Sequence, residues 1–404
     1  MSYQVCNFCI MDNISDPDIF FDEKGECNYC KLYKQIQKSR FISDKIENET
    51  KLKLLVDEIK KDGKTKEFDC IIGLSGGEDS TYVAYLSKQL GLRPLAIHLD
   101  NGWNSELAVE NISRCLKKLN IELFTYIINW EEFRDLQLSF LKASTPDAEI
   151  PTDHAISALF YKMALKFDIK YFLIGDNFRT ESILPPSWTN GIDDWIYIKN
   201  IHRKFGKIKL KTYPHYTYFQ KRYFQHIIKR ISILDYFEYD RIKVNQILKD
   251  ELGWQTYPCK HFESIYTRFF QGYILPIKFK IDKRKAHLSN LIYSNNITRE
   301  EAIKQLNNNP YTNSMQENDK IFVLKKLNIS ETEFDKLMNL PIKSYYDYPN
   351  MLKLLKRIDV CSRFLKKCNL LVKEPKNSLV FKYFWKLLSQ VPAVMFVMFE
   401  CSHI

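Results

Sequence analysis

A short apolar run over residues 68–74 breaks into Ser75-Gly76-Gly77-Glu78-Asp79-Ser80 and passes at once into a helical pattern over residues 81–90. A buried strand that turns directly into a helix belongs to an α/β sheet, with the turn at the strand's carboxyl end. Paired glycines let the backbone approach a ligand closely. The first N–H groups of the helix point outward at the positive end of its dipole. Such a turn is built to hold an anion of the size of pyrophosphate.

Two other phosphate loops are excluded. Gly63-Lys64-Thr65 looks like the end of a Walker A loop, but the glycine required five residues earlier is Glu58. No Gly-x-Gly-x-x-Gly follows any strand, so dinucleotide binding has no support. An ordinary strand-to-helix turn would explain two glycines, but not the strand context, the pair and the Asp-Ser ending together. The pattern resembles the PP-loop of ATP pyrophosphatases, enzymes that cleave ATP to AMP and pyrophosphate.

The expected organisation has four parts. Residues 1–35 carry cysteine pairs and little apolar core, and residues 36–67 read as a helical linker. Residues 68–290 form the nucleotide-binding domain, and residues 291–404 a helical, Asn/Lys-rich region. Within the domain, strands are expected over 70–74, 95–99, 122–127 and 171–174, with helices over 105–119, 130–141 and 152–167. This predicts an open, mostly parallel sheet, in which ligands sit at the carboxyl ends of strands. Three such ends carry chemistry-capable residues: Ser75–Ser80, Asp100, and Gly175 with Asp176 and Asn177.

The net charge of +11 over 404 residues favours an anionic partner. Basic residues are dispersed rather than blocked, so a nucleic acid is not expected. Met1-Ser2-Tyr3-Gln4 has no basic, then apolar, leader pattern, and ten cysteines are too few for a disulfide scaffold; both point to the cytoplasm. The apolar stretch over residues 387–399 contains Gln390 and Pro392 and falls short of a membrane span, so a packed C-terminal helix is expected.

Cys6-x-x-Cys9 and Cys27-x-x-Cys30 have the spacing of a tetrahedral zinc site, each pair supplying two thiolates from one tight turn. An iron–sulfur cluster and plain buried thiols are the weaker readings. Structural zinc supplies roughly 10–16 kcal/mol of apparent folding energy to a segment without its own core.

Three polar clusters follow. In Glu149-Ile150-Pro151-Thr152-Asp153-His154, Thr152 or Asp153 could cap a helix, but capping explains only one residue. Gly175 through Glu181 follows a strand. The densest cluster, residues 253–289, sets Lys260, His261, Glu263, Arg268, Lys278, Asp282, Lys283, Arg284 and His287 among aromatics and prolines. A solvated face is the usual explanation of such charge. The interleaved aromatics also suit a rigid wall that presents cations to an anionic substrate.

In order, these segments resemble the N-acetyl sugar amidotransferase family of lipopolysaccharide O-antigen and pseudaminic or legionaminic acid biosynthesis. The matching stretches are residues 6–30, 73–80, 151–154, 177–185 and 253–302, above all Lys260-His261-Phe262-Glu263-Ser264 and Asp282-Lys283-Arg284. The resemblance implies conversion of an N-acetyl group to an acetamidino group. ATP would adenylate the amide oxygen, a poor leaving group, and ammonia would displace AMP. Ser75, Gly76, Gly77 and Ser80 would hold phosphates, and Asp79 would bind Mg²⁺. Asp100, Gly175, Asp176 and Asn177 complete the expected ATP site. Lys260, Lys283 and Arg284 are candidates for the α-phosphate or a sugar carboxylate. His154, His261 and Glu263 are candidates for moving protons as ammonia adds. The expected cofactors are ATP, Mg²⁺ and Zn²⁺, and the expected substrate is an anionic sugar or nucleotide-sugar.

Residue 2 is Ser and no cysteine sits in a Gly-x-Cys-x-Gly elbow, so a separate glutaminase is expected to supply ammonia. The resemblance suggests one like the glutaminase subunit of imidazole glycerol phosphate synthase, with its barrel-type cyclase-like partner. The rival reading is a tRNA-modifying PP-loop enzyme of thiolation or lysidine type. Against it, no central cysteine pair occurs between residues 70 and 290. A non-enzymatic zinc scaffold would need a degenerate loop, and this one is intact.

Overall fold

Five strands build one parallel sheet: β1 Cys70–Gly73, β2 Pro94–Asp100, β3 Glu122–Ile127, β4 Tyr171–Ile174 and β5 Lys229–Ser232. Their order is β3-β2-β1-β4-β5, which leaves β1 at the centre. The computed structural model describes residues 2–40 and 45–353. The apolar stretch over 387–399 and Cys361, Cys368 and Cys401 lie outside the described residues.

Ile71 stands opposite Leu95 on one side and Phe172 on the other. It faces one apolar core, while Cys70 and Ile72 face a second, as strand alternation requires. Both faces are thus covered, which is why β1 reads as an unbroken apolar run. β5 differs. Its Lys229 and Arg230 are exposed at the sheet edge, so its sequence carries no apolar signal.

Helices α1 Asn28–Arg40 and α2 Lys45–Gly63 precede the sheet. α3 Glu78–Gln89 follows β1 directly. α4 Glu106–Leu119 is capped by Ser105 and released by left-handed Asn120 (φ 48°), and α5 Trp130–Ala143 is capped by Asn129. α6 Ile150–Lys166 carries Pro151 in its first turn, where a missing N–H costs nothing. The cap position belongs to Glu149, not to Thr152 or Asp153, which lie inside the helix.

α7 Phe178–Glu181, α8 Trp195–Phe205 and α9 Tyr218–Ile227 fill the crossover from β4 to β5. α10 Arg241–Leu252 comes next, and α11 Ile265–Phe269 runs into a wide π-type turn, Phe270–Phe279, around Pro276. α12 Lys283–Tyr293, α13 Arg299–Asn307, α14 Asn313–Leu327 and α15 Glu331–Met338 follow. All of the elements named belong to one compact unit, Met1–Asn350. No helix among the described residues is long and apolar enough to cross a membrane.

The N-terminal cysteine turns are held by the far end of this unit. Arg299 donates to the carbonyls of Cys9 (3.0 Å) and Cys6 (3.2 Å), and the Ile10 N–H donates to Ser289 Oγ (3.3 Å). Lys285 pairs with buried Asp12.

Candidate active site

The loop after β1 is fixed from behind. Gly76 has φ +82°, and a Cβ there would meet the Ala108 carbonyl oxygen at 2.6 Å, so glycine is required. Its own carbonyl accepts from Trp254 Nε1 (3.0 Å) and the Tyr257 hydroxyl (3.1 Å). The Ser75 and Ser80 hydroxyls lie 3.1 Å apart, closing the turn over the helix start. Gly77 occupies the cap of α3 with no side chain to satisfy the first N–H groups. That leaves the positive end of α3 facing the cleft.

One ion-pair chain crosses this cleft. Asp79 Oδ2 lies 2.9 Å from Lys260 Nζ, which lies 2.9 Å from Glu181 Oε1, which lies 3.4 Å from His261 Nε2. Burial would depress the Lys260 ammonium, but Asp79 and Glu181 overrule it and hold it protonated. Burial would likewise lift the Glu181 carboxyl, and Lys260 and His261 hold it well below its ordinary range. Glu263 moves the other way: burial raises it, and its Oε1 lies 3.0 Å from where a Gly77 Cβ would stand.

Sequence alone brings Lys260–Glu263 nowhere near the loop. The chain after β2 does so: Ser105 N–H donates to the Glu263 carbonyl (2.8 Å) and Ile265 N–H to the Trp103 carbonyl (2.8 Å). His261 adopts φ +65°, a left-handed conformation that costs a non-glycine residue about 1 kcal/mol or more.

A second group adjoins the first. Lys283 Nζ lies 3.2 Å from Glu149 Oε2, which also accepts from Gln271 Nε2 (2.8 Å). Burial pushes Asp153 up to about 8 and Asp147 up to about 6, with Lys283 pulling against it in both cases. His261, like Lys283, pulls against the burial that raises Asp153.

Other expected residues fall elsewhere. His154 is a core residue: Nδ1 meets the Ile192 carbonyl (2.6 Å), Nε2 accepts from Tyr216 N–H (3.3 Å), and the ring stacks on Tyr216. Burial lowers it to about 4, so it stays neutral, and the geometry does not bring it to the cluster as a proton carrier. Arg284 is tied to its neighbour Asp282 (2.7 Å), which caps α12. Asp176 is exposed and paired with Arg230 (2.9 Å) at the sheet edge. Asp100 accepts from Gly102 N–H (2.9 Å) and shapes the turn after β2. Gly175 sits against α3, where a Cβ would lie 3.4 Å from Asp79. Asn177 caps α7, with a buried Nδ2 left unpartnered. Arg268 and Lys278 do not line the cleft but hold Asp319 and the Leu337 carbonyl.

Tyr239 and Arg241 escaped the sequence reading. Tyr239 donates between Glu78 Oε1 and Asp79 Oδ1 (2.6 Å each), and Arg241 Nε pairs with Glu78 at 3.0 Å. Both carboxylates beside the phosphate loop are therefore already engaged. A magnesium ion at Asp79 would have to displace Lys260, so Asp79 as it stands does not fit a free magnesium ligand.

The four N-terminal cysteines meet. Sγ–Sγ separations of 3.6 Å (Cys6–Cys30), 3.7 Å (Cys9–Cys27) and 3.6 Å (Cys27–Cys30) match the edge of about 3.8 Å that tetrahedral zinc–thiolate bonds dictate. N–H groups of Phe8, Cys9 and Cys27 point at Cys6 Sγ (3.4 Å each). The donor set fits zinc.

A parallel sheet whose central strand ends in this loop defines an ATP pyrophosphatase domain of the PP-loop class, and with it an ATP-using, ligase-type architecture. Residues 49–156 match the NAD synthase family, and residues 263–359 match the family described as LPS biosynthesis protein WbpG-like, C-terminal domain. The chain thus joins an NAD synthase-like domain to a WbpG-like lipopolysaccharide-biosynthesis domain.

Among solved structures, an NH3-dependent NAD synthetase from Campylobacter jejuni subsp. jejuni NCTC 11168, in complex with the nitrate ion, aligns at 21% identity and TM-score 0.26, covering 34% of this chain. This chain spans 59% of that enzyme. An NMN synthetase from Francisella tularensis aligns at 16% identity and TM-score 0.27, covering 57% of this chain and 94% of its own. At TM-scores this low, neither bears on the assignment. No curated protein sequence matches the chain.

Proposed function

We propose that the protein is an ATP-dependent amidotransferase that turns the N-acetyl group of a surface-polysaccharide sugar into an acetamidino group. One observation carries this reading: the two matched segments meet at polar contacts, with Glu263 and Lys283 of the WbpG-like part set against Gly77 and Glu149 of the NAD synthase-like part.

The amide oxygen attacks the α-phosphorus of ATP, and the bond to pyrophosphate breaks, leaving an imidoyl adenylate. Backbone N–H groups at the start of α3 and the Ser75 and Ser80 hydroxyls hold the departing phosphates. Lys260, held beside the start of α3 by Asp79, supplies positive charge to the phosphates. Ammonia adds to the imidoyl carbon and AMP leaves, so the oxygen ends on AMP. Glu263, lifted by burial, takes a proton from the adding nitrogen. Lys283 is the candidate partner for a sugar carboxylate. A separate glutaminase supplies ammonia.

The test is mass spectrometry of free and nucleotide-activated N-acetyl sugars incubated with enzyme, ATP and ammonium. The expected product is about one mass unit lighter, NH replacing O, and cationic because amidinium shares its charge as guanidinium does. AMP and pyrophosphate should accumulate with it. Release of ADP and phosphate, or modification of tRNA with every sugar unchanged, would refute the reading.

A further inference from the structure

The chain places two imidazoles and a carboxylate at one point of the cleft, and nothing in the proposed reaction uses all three. Glu181 ends α7, His261 lies in the loop before α11, and His287 lies on α12. One ligand atom from each falls within 4.8 Å of the other two. We propose that Glu181, His261 and His287 form a second divalent-metal site, distinct from the cysteine cluster and selective for an imidazole-preferring transition ion.

The distances suit such an ion. Zinc–nitrogen and zinc–oxygen bonds of about 2.0–2.2 Å put tetrahedral ligands roughly 3.4 Å apart. Glu181 Oε1 and His261 Nε2 are separated by 3.4 Å, too far for a good hydrogen bond and right for two ligands of one ion. Glu181 and His261 keep 29% and 31% of their side chains exposed, so an ion can enter and one position stays open to water or substrate. Two imidazoles with one carboxylate favour zinc, iron or manganese over magnesium, which takes oxygen ligands.

The frame is built in advance. Asn290, fully buried on α12, accepts from Ser182 Oγ (3.0 Å) and Ile183 N–H (3.1 Å) and donates to the Ile183 carbonyl (3.1 Å). His287 lies one turn before Asn290 on the same helix face. The grip on the chain just past Glu181 therefore sets the spacing between Glu181 and His287. His261 reaches the point through a left-handed backbone (φ +65°), and Glu263 stands 3.9 Å behind its Nδ1, on the side away from the ion. Lys260 also touches Glu181 Oε1, yet Asp79 gives it a second anchor at 2.9 Å. An ion can share that carboxylate without leaving the ammonium unpaired.

The test reads metal, so it stands whether or not a sugar is amidinated. Wild type, His287→Ala and Glu181→Gln are loaded with zinc or cobalt, desalted and analysed for metal before and after a thiol-specific mercurial. Wild type should hold about two ions per chain, only one of them released by the mercurial. Each variant should keep the thiol-released ion, which also shows it folded, and lose the other. Cobalt at the second site should show ligand-field bands without thiolate charge transfer. Equal mercurial-resistant metal in all three proteins, or none in wild type, overturns the proposal and leaves a proton-only network.

Discussion

Lys283 Nζ lies 3.2 Å from Glu149 Oε2, and the carboxyls of Asp147 and Asp153 act on the same buried cation. The Lys283 and Glu149 side chains keep only 13% and 9% exposure, so removing one partner strands the other. Lys283→Ala should destabilise the protein by about 3 kcal/mol, and adding Glu149→Gln should recover part of that loss. Urea denaturation of the two single variants and the double variant checks this. Additive losses would mean that the pair is not coupled.

Lys260 should matter to turnover more than to folding. It retains 24% side-chain exposure, so Lys260→Ala should cost roughly 2 kcal/mol, below the range for a fully buried pair. AMP formation should fall on the order of 100-fold or more, as when a charge stabiliser is lost. Rates are best compared with Lys249→Ala, a lysine near the end of α10.

Gly76→Ala tests the loop itself. The added methyl must accept φ +82° and a carbonyl oxygen 2.6 Å away, a strain of at least about 1–2 kcal/mol. Thermal unfolding should fall by several degrees and ATP cleavage should disappear. An active Gly76→Ala enzyme would show that the turn does not hold phosphate in this conformation.

Cys27→Ala should remove the metal held by the N-terminal turns. Elemental analysis should drop by one zinc per chain, and proteolysis should open the first thirty residues first. Iron with sulfide in the wild type would point to a cluster instead.

His154 gives a pH signature without a catalytic one. Its folded pKa of about 4 lies below the ordinary 6.5, so the unfolded chain binds the proton more readily. Stability from this residue is therefore complete above about pH 6.5 and is lost as pH falls towards 4, a limb worth roughly 3 kcal/mol. His154→Phe should flatten that limb in denaturation curves between pH 4 and 7. ATP product formation by the folded variant should stay within about twofold; a large loss would return His154 to the reaction.

The central strands were legible because burial on both faces writes an apolar run, and the loop because phosphate geometry demands glycine. β5 was not, since an edge strand reading Lys-Arg-Ile-Ser hides one face from the core. His154 looked chemical because histidine so often is, and only the backbone partners on both ring nitrogens show otherwise. Lys260, Lys283 and Glu263 stood out as charges among aromatics, but Arg268 and Arg284 had the same setting and went to Asp319 and Asp282. Pattern cannot separate such cases, because the fold decides whether each charge meets a distant carboxylate, as Arg268 does, or a near one, as Arg284 does. Tyr239 carried no signal at all; its place between Glu78 and Asp79 is a property of the fold.

The clasp of Arg299, Ser289 and Lys285 on the cysteine turns has a consequence for synthesis. The cysteine turns leave the ribosome well before the side chains that clasp them, which come more than 250 residues later. At about 5–20 residues per second that interval is on the order of tens of seconds. Throughout it, the turns of Cys6, Cys9, Cys27 and Cys30 lack that clasp. Early metal capture would hold together a nascent segment whose own clasp has yet to be made.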